Sequence, residues 1–94
     1  MRTNNVKTKI HTRIITMRYL GATNYLGVRL KIIDHRFSKE ITLARDYEFD
    51  AIEQALKFFD SIGIEIDNFG GLTNGDTVFC SHDFSIQIDG KETV

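Results

Sequence analysis

The chain holds a single cysteine, Cys80, and no tryptophan. It also lacks any apolar run approaching the ~20 residues of a membrane helix. A lone cysteine excludes an internal disulfide and points to a reducing compartment. Residues Met1 to Lys7 carry charges with no apolar run behind them, so no secretory leader is expected. The expected location is the cytoplasm. No segment repeats, and no low-complexity linker divides the chain. Catalytic signatures are missing as well: there is no Gly-rich cofactor loop, no paired-carboxylate constellation and no Ser/His/Asp arrangement. The chain therefore reads as a non-enzyme that needs no cofactor.

What is present suits one small domain. Ninety-four residues, seven of them Phe and three Tyr, supply bulky material for a single core. Charge is distributed unevenly. Residues 1–45 carry ten basic and two acidic groups, a net +8, whereas residues 46–94 carry two basic and eleven acidic groups, a net −9. Such a division marks either a nucleic-acid or acidic partner, or two halves that face each other within one fold and cancel.

Residues 1–9 are polar and basic without periodicity and read as a tail. Residues 10–20 are rich in β-branched side chains and read as a strand, with Ile15, Met17 and Tyr19 on one face and Ile14, Thr16 and Arg18 on the other. A turn at Gly21-Ala22-Thr23-Asn24 leads to residues 26–34, which place Val28, Leu30 and Ile32 inward and Arg29, Lys31 and Ile33 outward. A second turn, His35-Arg36-Phe37-Ser38, leads to a third strand at 39–44, with Ile41 and Leu43 inward. Asp50 and Glu53 stand in capping-box register ahead of Ile52, Ala55, Leu56, Phe59 and Ile62, the apolar stripe of a helix. Gly63 suits its left-handed end. Residues 64–67 alternate like a short strand, 69–76 read as a loop, and Asn74-Gly75 signals a hairpin returning through 77–81. Residues 84–88 alternate again and would add a last strand, and 89–94 read as a loose tail. The expected fold is α+β: a twisted antiparallel sheet of five or six strands, β-β-β-α-β-β, with one helix on one face. The other face would stay partly open.

Tyr19-Leu20-Gly21-Ala22-Thr23-Asn24, then Gly27, then Arg29-Leu30-Lys31, resembles the opening hairpin of small accessory proteins encoded by phages, prophages and plasmids. Ile62-Gly63 at the helix end, and Gly70-Gly71, Gly75 and Val78-Phe79 in the later hairpin, extend the resemblance over residues 18–80. The chain departs from that pattern in its N-terminal arm, its C-terminal strand and its Asp46-Tyr47 order. The resemblance implies a mobile-element protein that binds and inhibits a host protein or nucleoprotein complex, in the manner of anti-defence or anti-CRISPR proteins.

The candidate binding residues fall into three groups. Arg29 and Lys31 share a side of one strand, and Arg18 on the neighbouring strand joins them. This basic face would meet phosphates or an acidic protein surface. Its outward positions carry no aromatic ring for base stacking, which favours protein over single-stranded nucleic acid. Asn24 and Tyr25 sit at the tip of the first turn. Phe58 lies at the edge of the helical stripe, as an apolar anchor or as core rim, and Tyr47 and Phe49 ahead of the helix would join it. Cys80-Ser81-His82-Asp83 holds metal-capable groups, but a Cys-x-His pair alone is no zinc site, so no metal is expected. The leading expectation is inhibition of a host complex by binding; the alternative is a nucleic-acid-binding accessory protein using the basic face. The bipolar charge is also compatible with a homodimer.

Overall fold

A computed structural model of the protein describes residues 12–84, 86 and 88. The expected tails at 1–9 and 89–94 lie outside the described residues, as do positions 85 and 87 of the strand expected at 84–88. Five strands and one helix follow in the order β1 (Arg13–Leu20), β2 (Arg29–Asp34), β3 (Lys39–Ala44), α1 (Ala51–Ile62), β4 (Asn68–Gly71) and β5 (Thr77–Ser81). All pairings are antiparallel, and the sheet order is β3-β2-β1-β5-β4. The fold is the expected α+β arrangement. β1 is central, so the first strand in sequence joins the opening meander to the closing hairpin.

Strand alternation places Ile15, Met17, Leu30, Ile32, Ile41, Leu43 and Phe79 on one face of the sheet. Ala51, Ala55 and Phe59 of α1 complete a single core cluster with them, sealed by Ile64 and Ile88. The rings of Phe59 and Phe79 meet edge to face at 5.1 Å, which fastens helix to sheet. Burying each large member contributes roughly 1.5–3 kcal/mol.

The helix starts as its sequence dictates. The Asp50 carboxylate accepts from the Glu53 amide at 2.8 Å, and the Glu53 carboxylate accepts from the Asp50 amide at 3.2 Å. It stops at Gly63, whose φ of 88° lies in the left-handed region where glycine is favoured.

Two departures from the sequence expectation stand out. The fourth strand is Asn68–Gly71 rather than 64–67. Ile64 and Ile66 do alternate, but they do so as the rim of the core along an extended connection, while the two glycines pair with Val78 and Thr77. In the β4–β5 hairpin only Gly75 takes positive φ, at 93°, and Asn74 does not. Gly75 N donates to Leu72 O and Leu72 N donates to Asp76 O, so the loop is longer than a two-residue turn.

Parity also sends two charged residues inward. Arg13 follows the face of Ile15, and Asp34 follows the face of Ile32; both are fully buried. Arg13 donates from Nε and Nη2 to Asp34 Oδ2 at 2.9 and 2.5 Å, and from Nη1 to Asp83 O at 2.9 Å. The Phe37 ring lies 5.0 Å from the guanidinium carbon. Asp34 Oδ1 accepts from the Arg36 amide at 3.1 Å and so shapes the β2–β3 turn. The pair thereby ties the chain after β5 to the opening hairpin.

Candidate functional site

The strand order brings three connections to one end of the sheet. β1 ends there at Leu20 and β2 begins at Arg29; β3 ends at Ala44, β4 at Gly71, and β5 begins at Thr77. The segments 21–28, 45–50 and 72–76 therefore cluster, together with the first turn of α1. This end carries five of the large apolar or aromatic side chains that the fold leaves in water. Tyr25 is 93% exposed and Tyr47 74%, and Tyr19, Leu26 and Leu72 are each about half exposed. Burying none of them costs the fold solvation free energy that a partner could recover.

The surface is held in place by local chemistry. Arg45 donates from Nε to the Tyr19 hydroxyl at 3.3 Å, and from Nη1 to Phe49 O at 2.8 Å, to Gln54 Oε1 at 3.3 Å and to Asp46 O. Its guanidinium carbon stacks 4.8 Å from the centre of the Tyr47 ring. Gln54 of α1 donates to Ala44 O at 2.7 Å and accepts from the Asp46 amide at 2.9 Å, which latches the 45–50 connection onto the helix. In the first turn, Thr23 Oγ1 accepts from the amides of Tyr25 and Leu26 at 3.2 and 3.0 Å, and Thr23 N donates to Leu26 O at 2.7 Å. A hydroxyl that satisfies its own turn holds Asn24 and Tyr25 at the exposed tip. Tyr19 stands between two grooves, one of about 260 Å³ reaching the start of α1 and one of about 470 Å³ reaching Asn74 and Asp76.

Arg18, Arg29 and Lys31 occupy the open face next to this end, where Arg18 pairs with Lys31 and Leu20 with Arg29 across β1 and β2. Two of the three cations meet carboxylates. Arg18 grips Asp76 from Nε at 3.2 Å and Nη2 at 3.0 Å, and Lys31 Nζ lies 3.5 Å from Glu40. Asn74 holds Asp76 in place by accepting from its amide at 3.0 Å. The hydrogen bond from Arg18 holds the Asp76 carboxyl below its ordinary range, and the same bond raises Arg18. Arg29 donates to Gly27 O at 3.3 Å. The Arg18–Asp76 contact joins the basic and acidic halves of the chain within one sheet. Phe58 is half-buried, packs against the core with its ring 5.7 Å from Phe59, and lines a hollow of about 330 Å³ with Leu43, Phe49 and Lys57.

The opposite end of the sheet holds the metal-capable groups. His82 Nδ1 lies 2.8 Å from Asp67 Oδ2, and the His82 amide donates to the same carboxylate at 2.9 Å. The Asp67 hydrogen bond, with the charges of Asp67, Glu65 and Asp83, raises His82 above its ordinary value. Cys80, His82, Asp67, Asn68 and Thr12 line a shallow hollow of about 570 Å³. Among the described residues no three His, Cys, Asp or Glu side chains converge to hold a metal ion. Among them, too, no helix is long and apolar enough to cross a membrane.

Arg45, Tyr19 and Leu72 were missed from sequence, whereas Tyr47 was marked there as a neighbour of Phe58. Parity sends Tyr19 inward, but it lies near the end of β1 beside the start of α1, and half of it emerges. Arg45-Asp46-Tyr47 carried one signal, a basic and an aromatic residue placed just before a helix cap. Comparison of the chain with protein-family models, curated proteins and solved structures finds no match.

Proposed function

We propose that this chain is a small non-catalytic binding protein that recognises a protein partner through the tyrosine- and arginine-bearing end of its sheet. One observation carries the reading: Tyr25, Tyr47 and Tyr19 stand with Leu26 and Leu72 at one end of the sheet, where Tyr19 and Tyr47 both meet an Arg45 fixed by four acceptors. Tyrosine and arginine dominate binding energy at protein interfaces, because they bury large area and lose little rotamer freedom when already held. The open-face cations extend this surface with charge. Pairing of Arg18 with Asp76 and of Lys31 with Glu40 reduces what the face offers to phosphates, which favours a protein over nucleic acid. The resemblance over residues 18–80 supplies the setting: a phage or plasmid accessory protein acting in the host cytoplasm, where it inhibits a host protein or nucleoprotein complex by occupying it. Affinity capture from host lysate, with and without nuclease, tests the reading. A partner retained after nuclease digestion supports it. A partner lost with the nucleic acid replaces it by nucleic-acid binding through Arg18, Arg29 and Lys31.

A further inference from the structure

A second surface lies on the outer edge of β4. Residues of an antiparallel strand alternate between bonding one neighbour and bonding the other. The Leu72 N to Asp76 O bond sets the phase of the β4–β5 ladder, so Gly70 with Val78 and Asn68 with Cys80 are the bonded pairs. Phe69 and Gly71 therefore turn their N–H and C=O groups outward. Among the described residues no hydrogen bond reaches those four groups.

Natural edges are blunted by charge, proline, bulges or cover. β3, the other edge, has Lys39 and Glu40 along it and Gln54 bonded to Ala44 O. β4 is short but carries no charge, and all four of its residues are exposed. A Cβ built on Gly70 or Gly71 meets nothing within 4 Å, so both faces of the strand are open around these glycines. Phe69 rests against Phe79 at 5.9 Å with half its surface in water, an apolar contact for alternate residues of an incoming strand.

The approach to β4 is acidic. The connection from α1 to β4 walls a groove of about 460 Å³ with Leu56, Ile64 and Ile66 on its apolar side and Asp60 and Glu65 as its charges. Among the described residues neither carboxylate has an ion pair. The helix ends here, its last turn holds no basic residue, and its dipole adds negative potential. An apolar trough with acids at its rim suits the alkyl stem and charged head of lysine or arginine.

We propose that the β4 edge accepts an extended basic peptide of a partner protein as a sixth strand. Backbone bonds form at Phe69 and Gly71, an apolar side chain covers Phe69, and a lysine or arginine enters the groove between Asp60 and Glu65. A second copy of this chain would bring the net −9 half against itself, which disfavours self-pairing at this edge. This edge stands apart from the tyrosine-bearing end.

The test uses a fluorescent peptide of alternating Thr and Val with Lys at both ends, and its Glu-ended counterpart. The Lys peptide is expected to bind, to slow exchange of the Phe69 and Gly71 amides at least about tenfold, and to bind about tenfold more tightly than the Glu peptide. Gly71→Pro removes only an outward N–H and abolishes binding while the fold persists. Glu65→Lys, on an exposed residue, reverses the peptide preference and serves if the proline variant fails to fold. Tyr25→Ala with Tyr47→Ala leaves peptide binding unchanged, so failure here and failure at the tyrosine end are separable. Unprotected Phe69 and Gly71 amides, or equal binding of the two peptides, overturns the proposal. So does a dimer of the protein alone that protects those amides.

Discussion

Replacing Asp34 by Ala removes the acceptor of a guanidinium that has no contact with water. Both side chains of the Arg13–Asp34 pair have zero exposure, and among the described residues Arg13 would keep only the Asp83 carbonyl and the Phe37 ring. An uncompensated buried charge costs about 3–5 kcal/mol. A chain of this length has roughly 5–14 kcal/mol in total, so the single change takes a large share of the stability. The corresponding fall in melting temperature is roughly 15–30 °C. Arg13→Met should cost comparably, because it strands the carboxylate. The double variant Arg13→Met with Asp34→Leu removes both charges and fills similar volume, and it should recover to within about 2 kcal/mol of the parent. Urea and thermal unfolding followed by circular dichroism measure all three. Because the pair is shielded from solvent, the loss should persist at high salt. A cost below about 1 kcal/mol for Asp34→Ala, or a double variant as damaged as the sum of the singles, would show that the buried pair is not what holds this end together.

Three further outcomes follow from the same contacts. Asp50→Ala breaks the capping box and should lower stability by about 1 kcal/mol in urea unfolding, with the fold retained. Phe59→Ala empties the contact between helix and sheet and should cost about 3–5 kcal/mol by the same measurement. His82 binds its proton more tightly folded than unfolded, so its pairing with Asp67 stabilises the fold at pH below its unfolded value of about 6.5 and loses that effect as pH rises through the higher folded value. An NMR titration should show His82 titrating above the ordinary histidine range, and Asp67→Asn should bring it back down.

The strands and helix could be read from the chain because alternation and the 3.6-residue period report directly which face is buried. Asp50, Glu53 and Gly63 marked the helix ends because capping is local chemistry. The fourth strand was displaced because Gly70-Gly71 has no side chains to alternate, while Ile64 and Ile66 alternate against the core along a connection that bonds β5 through Asp67 N to Cys80 O and Ser81 Oγ to Glu65 O without forming a ladder. Arg13 and Asp34 had the parity of core residues, but their charge concealed it; an inward Arg on one strand and an inward Asp on its neighbour were the signal. The candidate surface was only partly legible. Asn24 and Tyr25 stood out as a turn tip, yet their gathering with Tyr47 and Leu72 depends on β1 lying between β2 and β5. That order comes from pairings between residues about sixty positions apart, such as Met17 with Thr77.

Recognition of a protein by the tyrosine-bearing end, proposed above, can be tested on two side chains. Its most direct test compares the parent chain with a Tyr25→Ala, Tyr47→Ala variant in nuclease-treated affinity capture from host lysate. Both replaced side chains are largely in water, so melting temperature should shift by no more than a few degrees. The expected result is a partner held by the parent chain and lost, by about tenfold or more, from the folded variant. Equal capture by both chains would contradict it.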